Sequence, residues 1–268
     1  MPLERRNKYT NLILLCRNHH KVIDAQEGKY SAERLHQIKI DHEVWVADQL
    51  AFDAARQFEE ETYAGVVDKW EDLAHVEGWL AWSSHVLSFG QPEMQSDLDR
   101  DLRQLRGWLL NRVWPRRYPD LKNAFENFRR VLEDFHECFW KHAEPLNDGQ
   151  TLLTHKFYQI KEWDEGLYRK LLKQYEFHVY LVQDLMLELT RAANLVCDQI
   201  RQHLTPSYRL DSGRLMVQTG PSSDLAFRDI VVEYDSNERE LDFPYPGFQA
   251  FLTKRGGRSL YFDSGIEP

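Results

Sequence analysis

Cysteine is scarce in this sequence, with three residues in 268, and no two of them form a Cys-x-x-Cys pair. Cys16, Cys138 and Cys197 are therefore typical of reduced, unpaired thiols and not of a disulfide framework. The lack of a second ligand pair also argues against a structural zinc site, which needs four protein ligands. We expect a cytoplasmic protein without structural zinc.

Long apolar runs are also lacking. No stretch of eighteen apolar residues is present, which predicts that the chain does not span a membrane. The opening residues, Met-Pro-Leu-Glu-Arg-Arg, lack the apolar core of a signal peptide. The sequence has neither a Gly-x-x-x-x-Gly-Lys phosphate loop nor a Gly-x-Ser-x-Gly motif, so we expect neither P-loop nucleotide hydrolysis nor an α/β-hydrolase site.

Basic residues are fewer than acidic ones, with 34 Lys and Arg against 43 Asp and Glu, so the net charge is −9. Residues 1–50 nevertheless hold eight Lys and Arg against seven acids, for a net of +1, while the remainder carries −10. Contacts with nucleic-acid phosphates are therefore expected in the first fifty residues. The acidic remainder is typical of a scaffold, a sensor or an oligomerisation body.

One short stretch, residues 11–24, concentrates side chains that suit metal chemistry. It begins with the apolar run 12–15, which predicts a buried strand or turn that leads into a helix. The Cys16-x-x-His19 spacing places a thiolate and an imidazole within one helical turn, which is half of a tetrahedral site. His20 follows directly, and two adjacent histidines are costly to bury without partners. A single catalytic ion needs only one or two imidazoles, with water and a phosphate oxygen completing its shell.

The run Asn-Leu-Ile-Leu-Leu-Cys-Arg-Asn-His-His at residues 11–20, with its sequel to about Leu50, resembles the HNH, or ββα-metal, endonuclease family. The resemblance covers residues 3–50 and implies DNA cleavage assisted by Mg²⁺ or another divalent metal ion. It further implies that Asn11 fixes the catalytic loop, that His20 binds the metal and that His19 is a second ligand or a packing residue. His42 is a weaker candidate. The resemblance places the metal-binding helix in the DNA minor groove, and the basic residues expected to contact DNA are Arg5, Arg6, Lys8, Arg17 and Lys21.

The sequence departs from the family in one respect. Members of the family carry a histidine on a strand before the Asn, and this histidine activates the attacking water. No histidine precedes Asn11 here. Three explanations stay open at this point: the sequence begins too late, the unit is a catalytically dead remnant, or another residue or another chain supplies the base.

The hydropathy pattern predicts a mainly α protein with a small β part. A partial ββα-metal unit (1–50) is followed by a helical connector (51–91), a helical bundle (92–205) and a small antiparallel β region (206–268). Helices are expected at 32–61, 92–113, 119–142 and 165–204. The first of these begins at an N-cap, Ser31, and the apolar stripe of this helix is formed by Leu35, Ile38, His42, Trp45 and Val46.

The last quarter of the sequence is expected to form a small sheet against the bundle, and residues 151–160 are compatible with either a strand or a helix. A hairpin is expected over residues 208–217, with Ser212-Gly213 at its turn. Residues 230–234 and 259–262 are interpreted as further strands, with Gly256-Gly257 forming the turn before the last of them.

Two functions are compatible with this organisation. The first is an HNH-type, metal-dependent DNA endonuclease, or a truncated form of one, with an acidic helical body that regulates or dimerises it, as in bacterial defence effectors. The second is a non-catalytic binding or assembly protein that retains a degenerate HNH remnant. DNA would bind the N-terminal unit, and a second copy or a protein partner would bind the helical body. Arg130 and His136 also fit the loose Arg-x(4–6)-His pattern of HEPN ribonucleases, but dense charge makes chance an adequate explanation.

Overall fold

The computed structural model describes residues 7–50, 53–88, 90–146, 149–220 and 226–255. The chain divides into two compact units, residues 1–55 and 56–268. The expectation of a mainly α protein with a small β part is confirmed. Of the three later segments expected from the sequence, 92–205 and 206–268 fall within the second unit, and 51–91 begins five residues before it.

The first unit consists of a 3₁₀ turn and two helices. The turn spans Tyr9–Asn11, helix α1 spans Arg17–Ala25 and helix α2 spans Ala32–Leu50. The prediction of one helix over residues 32–61 is wrong, because α2 ends at Leu50 and the next helix, α3, begins at Ala54. Residues 51 and 52, between them, lie outside the described residues.

Tyr9 is the residue that connects the 3₁₀ turn to α2. Its hydroxyl donates a hydrogen bond to Glu43 Oε1 (2.6 Å), and Lys39 Nζ lies 3.8 Å from the centre of its ring and bonds to its carbonyl oxygen. The less exposed face of α2 is therefore formed by Leu35, Lys39, Glu43 and Val46. The predicted stripe is largely wrong, since Ile38, His42 and Trp45 are exposed.

Residues 12–15 are not buried. Leu12, whose backbone is extended, and Leu14 are 53% and 99% exposed, whereas Ile13 and Leu15 are half-buried. This two-residue alternation is that of a β-strand with one covered face. The expectation of a buried run is therefore wrong, since two of its side chains are exposed and the other two are only half-buried. Within the described ranges, no strand pairs with this segment.

The second unit is built on two long amphipathic helices that pack along each other. Helix α6 spans Pro119–Trp140, and its proline occupies the first helical turn, where a missing N–H costs nothing. Helix α7 spans Glu165–His203, and the Asp164 side chain caps it by accepting a bond from the backbone N–H of Leu167 (2.9 Å). The other helices of this unit are α3 (Ala54–Leu73), α4 (Trp79–Val86), α5 (Ser96–Leu110), α8 (Ser236–Arg239) and α9 (Phe248–Arg255).

Aromatic and aliphatic side chains fill the core between these helices. The apolar positions predicted for the two long helices are all buried: Leu121, Phe125, Phe128, Leu132, Phe135, Phe139, Leu181, Leu185, Leu189, Ala192 and Val196. The prediction that the tryptophans of residues 70–82 belong to the core is also confirmed. Trp70 contacts Phe125 and Phe128 edge to face, and Trp79 Nε1 donates to Thr190 Oγ1 (3.1 Å).

Two small antiparallel sheets complete the second unit. One has the strand order β1 (Glu93–Gln95), β3 (Thr151–Thr154), β2 (Ala143–Pro145), with Met94 opposite Leu152. The second pairs β4 (Met216–Thr219) with β5 (Arg228–Val231), and Val217 lies opposite Ile230.

The hairpin predicted over residues 208–217 is wrong, because only its last two residues are in a strand. Asn194 of α7 explains where β4 begins. Its side chain accepts a bond from the Leu215 N–H (2.9 Å) and donates to the carbonyl oxygens of Leu215 and Val232 (3.0 Å each). The predicted strand 259–262 and the Gly256-Gly257 turn lie outside the described residues.

A buried polar cluster fastens the C-terminal segment to α7. Glu188 accepts hydrogen bonds from the Tyr234 hydroxyl (2.6 Å) and from Arg191 Nη1 (3.0 Å). Asn127 of α6 donates to the Tyr234 oxygen (3.1 Å) and accepts from the Tyr245 N–H (2.9 Å). Since each of these side chains is buried, each depends on the others for its hydrogen bonds.

Replacing Glu188 by Ala is expected to lower the free energy of unfolding by about 3–5 kcal/mol. It removes one of the two carboxylates that pair with the buried Arg191 guanidinium and leaves the buried Tyr234 hydroxyl without its acceptor. Urea denaturation monitored by tryptophan fluorescence measures this loss. Glu240→Ala removes an exposed carboxylate of the same unit and is the matched control, with an expected change within about 0.5 kcal/mol. Equal effects of the two substitutions would contradict the assignment.

His136 makes the stability of the second unit depend on pH. Burial lowers the pKa of this ring to about 4; Asp99 opposes this shift, while Arg106 and Arg103 reinforce it. The pKa of His136 in the folded protein lies below the unfolded value of about 6.5. The contribution of the neutral ring to the free energy of unfolding is therefore fully present above pH 6.5 and is lost as the pH falls towards 4.

His136→Gln, which cannot titrate, should flatten the dependence of unfolding free energy on pH between 4 and 6.5, by up to about 3 kcal/mol across that window. Urea titrations at several pH values measure the slope. The same substitution at the exposed His155 is the matched control and should change the slope less than His136→Gln does. A wild-type slope in His136→Gln would show that this ring does not titrate as proposed.

Candidate functional site

Helix α1 separates the two adjacent histidines. Successive residues of an α-helix are rotated by about 100°, so His19 and His20 point to different sides. Arg17, His20, Lys21 and Asp24 share one face of the helix, and all four are exposed. The structure therefore gives each histidine its own surroundings.

His19 lies against the thiol of Cys16, the residue at the N-cap of α1. The distance from Cys16 Sγ to His19 Nδ1 is 3.0 Å. The backbone N–H of His19 and then its ring lower the pKa of the Cys16 thiol, which favours the thiolate. The predicted Cys-x-x-His pair therefore forms, at the surface of the first unit.

His20 is oriented by a carboxylate one turn further along the helix. Its Nδ1 lies 2.8 Å from Asp24 Oδ2, and both side chains are about two-thirds exposed. A carboxylate on Nδ1 places the ring proton there and leaves the Nε2 lone pair available. Histidines that bind metals usually have this arrangement, in which a second group fixes the tautomer and makes the ligand nitrogen more basic.

The remaining predicted site residues are distributed around α1. Asn11 is partly buried at the end of the 3₁₀ turn, where its N–H bonds to the Lys8 carbonyl (2.8 Å), and it lines a small cavity of about 140 Å³. Lys8, like the basic residues of α1, is exposed. Arg5 and Arg6 lie outside the described residues. His42 stacks on Trp45 at 5.6 Å, on the exposed side of α2.

The donor atoms of this site form two separate pairs, and neither pair alone completes the coordination shell of a metal ion. Cys16 with His19 offers sulfur and nitrogen, a combination that zinc prefers, while His20 with Asp24 offers nitrogen and oxygen. In the part of the chain that the structure describes, no three His, Cys, Asp or Glu side chains converge on one point. An ion bound through His20 Nε2 would therefore take most of its ligands from water and from phosphate oxygens, as a catalytic ion does.

Asp24 is the site residue that the sequence analysis missed. The signal was present, because residues four apart on a helix face each other and His20-x-x-x-Asp24 has that spacing. The HEPN-like pair is not brought together as a site. His136 is buried in the core, whereas the Arg130 guanidinium lies over the Phe243 ring at 5.1 Å.

Comparisons of the chain with protein-family models, with curated proteins and with solved structures found no match. Among the described helices, none is both long enough and apolar enough to cross a membrane.

The hydrogen bond to Asp24 predicts the tautomer of His20. In its neutral form, the ring should carry its proton on Nδ1, whereas a free imidazole in water favours Nε2–H. Long-range ¹H–¹⁵N correlation spectra distinguish the two forms. Asp24→Ala should return His20 to the solution mixture, and Glu27→Ala, which removes another exposed carboxylate of this unit, should not. Nε2–H in the unsubstituted protein would contradict the orientation proposed here.

Proposed function

We propose that the first unit is an HNH-type, metal-dependent DNA endonuclease unit that binds its ion through His20. The observation that supports this proposal best is the 2.8 Å contact between His20 Nδ1 and Asp24 Oδ2, which leaves Nε2 available as a ligand. The ion would be Mg²⁺ or another divalent cation, and it would polarise the phosphodiester and stabilise the leaving oxygen.

In this proposal the other residues of the site position the DNA. Arg17 and Lys21 lie on the same face of α1 as His20, so phosphates that they attract would approach the Nε2 atom. Asn11 holds the chain that leads into α1, and His19 stays with Cys16 as a secondary ligand or a packing residue. The helical second unit would regulate or dimerise the nuclease. We propose the cytoplasm as its compartment, since it keeps thiols reduced.

The exposed basic face of α1 also supports a second candidate. Arg17 and Lys21 can attract phosphates whether or not the bound DNA is cut, so the same surface would serve a protein that only binds DNA. The chain would then be a binding or assembly protein whose acidic second unit contacts a second copy or a protein partner.

The two candidates are separated by incubating the whole chain with supercoiled plasmid and Mg²⁺ or Mn²⁺. If the unit is a nuclease, the plasmid is nicked and His20→Ala abolishes nicking, while His19→Ala retains most of it. Mn²⁺ titration by calorimetry should show about 10- to 100-fold weaker binding in Asp24→Ala, because a carboxylate that hydrogen-bonds to a metal-binding histidine contributes that much to metal affinity. Nicking that persists in His20→Ala would refute the ligand assignment.

DNA binding without nicking would support the second candidate. In that case Arg17→Gln combined with Lys21→Gln should reduce the slope of log affinity against log salt by about 2, or about 1 for each lost phosphate contact. Lys161→Gln removes one exposed charge from the second unit and is the control for general electrostatics.

A further inference from the structure

The second unit contains a cavity of about 970 Å³ that the proposed nuclease does not use. It lies between the C-terminal half of α6, the first half of α7 and the start of α9. Its volume is at the upper end of the range for small-molecule sites, which is about 300–1,000 Å³. The cavity is therefore large enough to enclose an organic ligand.

The walls of the cavity are mainly apolar. Six side chains supply this surface: Cys138, Phe157, Leu171, Phe177, Leu181 and Phe248. Phe177 is nearly half exposed although it lies well inside the first half of α7. A large apolar side chain left open to solvent in a cavity indicates a ligand with an apolar body.

Lysines give the cavity its charge. Lys141, Lys170 and Lys173 line it, and within the described ranges none of them makes an ion pair. Two acids also line it, but the Asp134 carboxylate accepts a hydrogen bond from the Tyr245 hydroxyl (2.7 Å). With Glu137 as the second acid, the lining has one more cation than anions, which favours an anionic ligand.

A buried imidazole supplies a specific polar contact. His178 is only 5% exposed, it lines the cavity, and its Nε2 atom has no hydrogen-bond partner in the described part of the chain. The ring packs edge to face on His142, with 4.7 Å between centroids. Burial first, then the charges of His142 and Lys141, lower the pKa of His178 to about 4, so the ring is neutral at pH 7. A buried nitrogen without a partner is destabilising unless a bound molecule completes its hydrogen bonding.

We propose that this cavity binds an amphipathic organic anion of the fatty-acid type. Its carboxylate is neutralised by Lys141 and accepts a hydrogen bond from His178 Nε2, an atom that is covered in the structure and that a rotation of the ring brings to the cavity surface. The hydrocarbon body of the anion lies against Phe177 and Leu171. Along α7, about 12 Å separate His178 from Lys170, which is eight residues at 1.5 Å each. A medium-length chain fits this distance, and Lys170 and Lys173 attract the anion to the cavity.

Decanoate is the probe, and decan-1-ol is its uncharged counterpart. Calorimetric titration of the whole chain, with decanoate kept below its micelle concentration, should show saturable binding with one site per chain. Lys141→Gln should weaken decanoate binding about two- to fivefold, as expected for a partly exposed ion pair, and leave decan-1-ol unaffected. Lys161→Gln, the same charge change outside the cavity, should affect neither ligand.

His178 is tested by two substitutions. His178→Leu should weaken decanoate binding about 10- to 100-fold by removing a hydrogen bond to a charged group, whereas His178→Gln, which keeps a donor, should retain most of it. The thermal unfolding of each variant shows whether it is folded. Failure of decanoate to bind saturably, or equal binding by unsubstituted protein, Lys141→Gln and folded His178→Leu, would overturn the proposal. Since it concerns only the second unit, its outcome is independent of plasmid nicking.

Discussion

The second unit depends on one buried carboxylate, that of Glu188. Burial raises the pKa of this group, although Arg191 and the Tyr234 hydroxyl act against the shift. An isolated charge in the core would be costly, so Glu188 requires partners that only a specific arrangement of the C-terminal segment supplies. Arg191 also bonds to the Glu233 carbonyl (3.0 Å) and contacts Glu238, which closes the capping box of α8. The polar cluster therefore determines how residues 230–245 lie on α6 and α7.

The first unit is stabilised in a different way. None of the side chains described between residues 7 and 48 is buried, so this unit has no apolar core of its own among them. Its 3₁₀ turn is joined to α2 by the contacts of Tyr9 with Lys39 and Glu43, which are at the surface and partly electrostatic. Units of about fifty residues bury too little surface for large stability. The side chains of an exposed site such as that of His20 are therefore oriented by pairs within the same helix and not by a surrounding core.

The sequence predicted best where the hydropathy pattern alone decides the structure. The long runs of α6 and α7 have strict helical periodicity, so both their boundaries and their buried residues were predictable. The prediction was wrong where a tertiary contact overrides the pattern. On α2, Tyr9 covers Lys39 and Glu43, although their charge suggests exposure. At residues 208–217, Asn194 replaces a strand partner, which no local pattern reveals.

For the candidate sites, too, only the local features could be predicted from the sequence. The spacing of residues predicted the Cys16–His19 pair and the helix that carries His20, and it would also have predicted the contact of His20 with Asp24. The cavity of the second unit was not, because it joins α6, α7 and α9, which are far apart in sequence. That Phe177 and Phe248 line one space follows only from the path of the whole chain.

The segment 12–15 has a consequence for handling the protein. Leu12 has an extended backbone, and Leu12 and Leu14 expose apolar side chains. In the described part of the chain, no strand pairs with this segment. An open edge of this kind is a template for pairing with any extended peptide, including the same segment of another molecule. At high concentration, the isolated first unit should therefore be the part of the chain most prone to aggregate.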